Sequence, residues 1–221
     1  MNSVNRILDI IKTGDNEEPS KTINDNPSFA QLKTEQGISL LQFAAYCHNR
    51  SAFDILRKYK SEIDIFEASS IGDIDTVQKL VNHNTESVNS FSADGFTPLG
   101  LASFFGHLNV VLLLLTKGAN PNIAANNPFK VTPLHSACAT SNYEVADILI
   151  QNGADVNAKQ MQGVTPLHSA AHNGQTKLAK LLIDRGADIN AKMDDGQTSL
   201  SMAKEAGFAE TADLIRQRSG K

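Results

Sequence analysis

The residues best suited to metal or redox chemistry in this 221-residue chain are six histidines and two cysteines. His168 and His172 stand four apart, a spacing that can place two imidazoles on one helix face as a zinc pair requires. His135 and Cys138 stand three apart, one sequence period earlier. Zinc takes three or four ligands at ~2.0–2.3 Å, so a site forms only if such pairs converge. Cys47 and Cys138 belong to no CxxC motif, and their types suit small buried hydrophobes in a reducing compartment. Ser169 follows His168, but sequence neighbours do not make a nucleophile–base pair, and no third partner is indicated. Asp194 and Asp195 form a carboxylate pair on a loop tip with no apolar surround to shift a pKa. The phosphate-cradling patterns GxGxxG and GxxxxGK[ST] are absent. These residues supply no basis for an enzyme, and no cofactor is expected.

Charge and hydropathy narrow the partners. The formal net charge is −4, from 20 basic and 24 acidic residues, and apart from Arg57-Lys58 the basic residues are scattered singly. A nucleic-acid binder carries a basic stripe, so nucleic acid is not the expected partner. The longest apolar run, Val110 to Leu115, is far short of a membrane span, and Met1 to Glu18 lacks a signal-peptide core. The expectation is a cytoplasmic monomer with no membrane contact.

The elements that position these residues repeat. Gly95-Phe-Thr-Pro-Leu-Gly-Leu-Ala102, Val131-Thr-Pro-Leu-His-Ser-Ala137 and Val164-Thr-Pro-Leu-His-Ser-Ala-Ala171 align, with Gly196-Gln-Thr-Ser-Leu-Ser-Met-Ala203 as a weaker copy. Their threonines, Thr97, Thr132, Thr165 and Thr198, are separated by 35, 33 and 33 residues. Threonine before a helix caps it, and proline at the first helical position needs no N–H partner. Gly106, Gly174 and Gly207 break the first helix of each unit. A second helix follows with a broad apolar stripe, for example Val145, Ala146, Ile148, Leu149 and Ile150, and ends at Gly118, Gly153 or Gly186. Asp94-Gly95 and Asp195-Gly196 are tight-turn dipeptides between units.

A period near 33 with a Thr-Pro-Leu-His-x-Ala core resembles the ankyrin repeat. The segments Ile65–Asp73 and Asp94–His107 also look like those of short, stand-alone bacterial ankyrin proteins. The resemblance implies an all-α solenoid of about seven helix–turn–helix units with hairpin-like loops, one array over 1–221. The units fall near 1–35, 36–60, 61–93, 94–127, 128–160, 161–193 and 194–217. Breaks are expected at Gly14, His48, Gly72, Gly106, Ser141, Gly174 and Gly207. The interval from His48 to Gly72 is only 24 residues, so the second and third units should join without a hairpin loop. In the first unit Pro19 sits where a buried aliphatic is expected, which argues against a second helix there. Lys204, Glu205 and Arg216 replace apolar or small residues of inner units, as a C-terminal cap would, and imply a complete array.

The resemblance also assigns roles. His135 and His168 are implied to bond neighbouring backbone and hold adjacent loops in register. Inner helices ~10 Å apart cannot bring His168, His172 and Cys138 onto one zinc ion. Binding is implied to use the loop tips and the exposed face of the inner helices, which line a concave surface. That surface is expected to include Tyr46, Ser70 and Ile71. It is centred on Phe96, Phe104 and Phe105 with Lys130 and Met161, and it extends to His172. Tyr46 is placed two units away from the phenylalanines. The function implied is a protein–protein interaction module for an unidentified protein partner. The alternatives are a regulatory or inhibitory subunit of an enzyme and a metal- or redox-linked role.

Overall fold

The structure, a computed structural model, describes residues 3–13 and 17–219. Among these residues there are fourteen α-helices, no strand, and two isolated antiparallel bridges, Lys33 with Ser39 and Lys192 with Thr198. The helices are α1 (Ser3–Thr13), α2 (Glu17–Asp25), α3 (Leu40–Tyr46), α4 (Arg50–Tyr59), α5 (Ile65–Ile71), α6 (Ile74–His83) and α7 (Pro98–Phe105). They continue as α8 (Leu108–Thr116), α9 (Pro133–Ala139), α10 (Tyr143–Gln151), α11 (Pro166–His172), α12 (Thr176–Asp184), α13 (Ser199–Glu205) and α14 (Ala209–Ser219). Each odd helix packs on the even helix that follows it. From α3 onward, successive odd helices also pack on one another in an inner row, and the even helices form an outer row.

The reversal within each pair needs a residue at positive φ. His48, Gly72, Gly106, Ser141, Gly174 and Gly207 all adopt it, with φ from 53° to 80°. Glycine does so without steric cost, while His48 and Ser141 carry the strain of a Cβ in that region. Gly14 lies outside the described residues. The first turns follow from side-chain caps: Thr97, Thr132, Thr165 and Thr198 each accept from a backbone N–H of the helix they precede.

One expectation needs correction. The first pair does have a second helix, α2, despite Pro19. Pro19 is the third residue of α2, and N–H groups of a first turn have no intrahelical partner to lose. The His135 Nε2 reaches the carbonyl of Val164 at 3.1 Å, and the His168 Nε2 faces the backbone of Gln197 and Ala191 in the loop that follows.

The connection from α4 to α5 is only residues 60–64, where the other inter-pair connections carry a hairpin loop. No Thr-Pro start is available there. Instead Asp64 accepts from the Glu67 N–H at 2.8 Å, and Glu67 Oε2 accepts from the Asp64 N–H at 3.0 Å. This capping box satisfies two orphan donors of α5. Lys60 Nζ sits 2.9 Å from Glu67 Oε1, a buried charge contact rather than an aligned hydrogen bond.

The apolar core is divided at the same place. Ile7, Ile11, Ile23, Leu40, Leu41 and Leu56 form one cluster within α1–α4. A second runs from Ile65 and Val77 through Leu99, Leu114, Leu134 and Leu149 to Leu182. Half-buried Ile63 touches both. A small third cluster, including Ala203 and Ile215, lies under α14, whose Arg216 points to solvent.

Candidate binding surface

The last turns of the inner helices share one register. Tyr46, Ser70, Phe104, Ala139, His172 and Glu205 occupy equivalent positions, each the second residue before the break. Ala139, His172 and Glu205 are exposed, with exposed Thr140 and Asn173 beside the first two. Tyr46, Phe104 and Phe105 are half-buried. The small and polar side chains of α9 and α11 therefore leave an open floor next to an aromatic wall.

Tyr46 is not remote from the phenylalanines. Its ring lies 6.0 Å from Phe104 and 5.4 Å from Phe105, and those two meet edge to face at 5.1 Å. The contact skips a helix pair, because Tyr46 belongs to α3 and the phenylalanines to α7. Between them α5 presents only Ser70, which is 2 % exposed and bonds back to the Phe66 carbonyl. Ser70 is thus not part of the open surface, contrary to the sequence reading. Ile71 is half-buried.

Hydrogen bonds fix the aromatic platform. The Tyr46 hydroxyl donates to Asp94 Oδ2 at 2.8 Å and accepts from Gln42 Nε2 at 3.2 Å. Asp94 also accepts from the Ser92 hydroxyl. Burial and the neighbouring carboxylate push the Tyr46 phenol far above its ordinary pKa, so it remains a donor. Phe105 stacks on His107, whose Nε2 reaches the Ser70 carbonyl at 2.9 Å.

The loop residues divide into two groups. Phe96 is half-buried on its own turn, its N–H donating to the Ser92 hydroxyl and its ring edge facing Gly100. Lys130 and Met161 are exposed on neighbouring tips. The Met161 N–H donates to the Phe129 carbonyl at 2.9 Å, and Phe129, 56 % exposed, is the most prominent apolar side chain there. The sequence reading missed Phe129; its signal was a place in the lengthened loop next to Lys130. His172 borders a hollow with Gln197, Met202, Glu205 and Ala206. The structure thus gathers Tyr46, Phe104 and Phe105 into one platform, and leaves Lys130 and Met161 on the exposed loop tips with Phe129.

The residues considered for metal or redox chemistry diverge. His168 is fully buried, its Nδ1 accepting from the Thr165 N–H at 3.2 Å and lying 2.8 Å from the Thr165 hydroxyl. His172, one turn on, faces solvent. His135 is bonded at both ring nitrogens, and burial lowers its pKa to about 4. Burial likewise pushes the Cys138 thiol far up and the Cys47 thiol up. Among the described residues no three His, Cys, Asp or Glu side chains converge on one point, and no helix is long and apolar enough to cross a membrane.

Comparison with known proteins agrees with this architecture. The family described as "Ankyrin repeats (3 copies)" matches residues 41–125, 65–160, 123–193 and 158–220. Ankyrin repeat and SAM domain-containing protein 6 of Rattus norvegicus is 34 % identical over 104 residues, covering 47 % of this chain and 12 % of that protein. Ankyrin repeat protein FPV024 of Fowlpox virus is 33 % identical over 95 residues, covering 42 % of this chain and 16 % of that protein. The related FPV014 is 26 % identical over 165 residues, covering 70 % of this chain and 37 % of that protein. The chain thus spans well under half the length of these relatives.

Proposed function

The chain belongs to the ankyrin-repeat family, whose repeats are generally protein-interaction modules, and we propose that it binds a protein partner along its inner-helix face and loop tips. One observation carries this reading. At the register position where α9, α11 and α13 expose Ala139, His172 and Glu205, α7 places Phe104, with Phe105 beside it. Packing within the stack does not require large aromatics there, because neighbouring pairs close with small or polar residues. Interface hot spots are enriched in aromatic residues, Trp and Tyr above all, and Tyr46 joins this cluster. Phe96 and Tyr46 frame the anchor, and Lys130, Met161 and Phe129 offer a second contact point on the tips.

The test is to capture a partner with the unaltered chain by pull-down, then titrate Phe104→Ala and Leu149→Ala side by side for folding and for binding of that partner. Truncating a hot-spot residue costs at least about 2 kcal/mol, or roughly thirtyfold in affinity. Phe104→Ala is expected to weaken binding by that much while destabilising the fold less than Leu149→Ala. Equal destabilisation, with binding by the folded fraction unchanged, would make Phe104 a core residue and defeat the assignment.

A further inference from the structure

We infer that the aromatic platform is assembled across a hinge: α1–α4 move as a unit about residues 60–64, and Tyr46 meets Phe104 and Phe105 only when that hinge is closed. The consequence for binding rests on the reading above; the hinge itself does not.

Three independent features meet at this junction. The first is the core, which is divided between α4 and α5, with half-buried Ile63 touching both clusters. The second is hydrogen bonding. Later loops are tied backbone to backbone, Asn126 N–H to Gly95, Met161 N–H to Phe129 and Asp194 N–H to Gln162. Side chains at the helix breaks add rungs: Asn49 to the Ile11 carbonyl, His107 to Ser70, and Asn142 to Ser103 and Phe104. At the α3–α5 junction the rung position holds Asp73, a carboxylate that cannot donate. It caps α6 through Thr76 and meets Arg57 at 3.3 Å. Among the described residues no backbone–backbone hydrogen bond joins residues up to 59 with residues from 65 onward.

The third feature is shape. Outer helices α4 and α6 hardly meet, while the other consecutive outer helices pack together. A polar hollow lined by Arg57, Lys60, Glu62 and Lys79 opens in that gap. A second hollow, lined by Ala45, His48, Phe53, Ile71 and Phe105, opens at the break edge. Few apolar contacts and no shared backbone bonds define a boundary of low local stability.

Side-chain contacts hold the junction shut: Tyr46 with Asp94 at 2.8 Å, Arg57 with Asp73, and the three-ring cluster. Opening withdraws Tyr46 from α7. A partner lying on the platform touches both units and so favours the closed arrangement.

Spin-label distance measurements on the full chain, without any partner, test this. One pair joins the two units, Asp54→Cys with Lys177→Cys; the control pair, Lys79→Cys with Lys177→Cys, lies within the second. Both carry Cys47→Ser, and Cys138 is too buried to label. The cross-junction pair is expected to show a second, displaced population. Its ratio to the closed form should rise about fivefold with Tyr46→Phe, the net worth of one hydrogen bond. The control pair should stay single and narrow in both. A single distribution of equal width for both pairs, or a displaced fraction that ignores Tyr46→Phe, would overturn the hinge and leave the binding reading standing. A displaced population together with unchanged binding by Phe104→Ala would do the reverse.

Discussion

The Tyr46 hydroxyl and the Asp94 carboxylate meet at 2.8 Å although 48 residues separate them in the chain. A missing loop makes this possible. Without a hairpin before α5, the turns before α3 and α7 become neighbours, and Gly37 in the first lies so close to Ala93 that a Cβ on it would stand 3.1 Å from the alanine methyl. The aromatic platform is a product of that short connection.

The buried pair at the junction should be sensitive to the loss of one partner. Lys60 and Glu67 side chains are 7 % and 2 % exposed. Lys60→Met leaves the Glu67 charge buried and uncompensated, which costs about 3–5 kcal/mol. Lys60→Met with Glu67→Gln should recover much of this in denaturant titration, because the amide retains the capping oxygen. A loss below about 1 kcal/mol for Lys60→Met would show that water reaches the pair.

Caps and core should rank in a definite order. Thr132→Ala and Thr165→Ala each remove a cap and a hydroxyl 2.8 Å from a buried histidine Nδ1, for about 1–2 kcal/mol. Leu149→Ala empties a fully buried position and should cost about 2–5 kcal/mol. Unfolding titrations that placed either threonine above Leu149 would contradict the packing described.

Acid should destabilise the fold through its buried histidines. Burial lowers the His135 pKa from 6.5 to about 4, and lowers those of His168 and His107. The unfolded chain therefore binds protons more readily between these values. Stability is fully present above about pH 6.5 and is lost as the pH falls towards 4, on the order of 3 kcal/mol for His135. His135→Gln should flatten the pH dependence of the unfolding free energy in this window. An equally steep dependence in the variant would place the titration elsewhere.

What the sequence revealed follows from local physics. A reversal at positive φ favours glycine, so Gly72, Gly106, Gly174 and Gly207 announce the breaks, and the period carries His48 and Ser141 with them. The Thr-Pro starts announce the later inner helices in the same way. What stayed hidden depends on distance across units. The register assigns Tyr46 and Ser70 to the exposed face, but only the three-dimensional closure of α3 on α7 shows Tyr46 packed on Phe104 and Ser70 buried. The Asp64-x-x-Glu67 spacing is itself a capping pattern legible in the sequence. Phe129 was hidden because a lengthened loop has no register against which to place it.

The central claim, that a partner lies on the inner-helix face, is tested most directly by position-resolved photo-cross-linking in the native cell. A benzophenone amino acid would replace, one at a time, Thr140, His172 and Met161 on that face and its tips, and Leu112 and Lys180 on the outer helices; all five are exposed. The account predicts an adduct of one common mass from the first three positions, lost when Phe104→Ala is added, and none from Leu112 or Lys180. Adducts from Leu112 and Lys180, with none from Thr140, His172 and Met161, would contradict it.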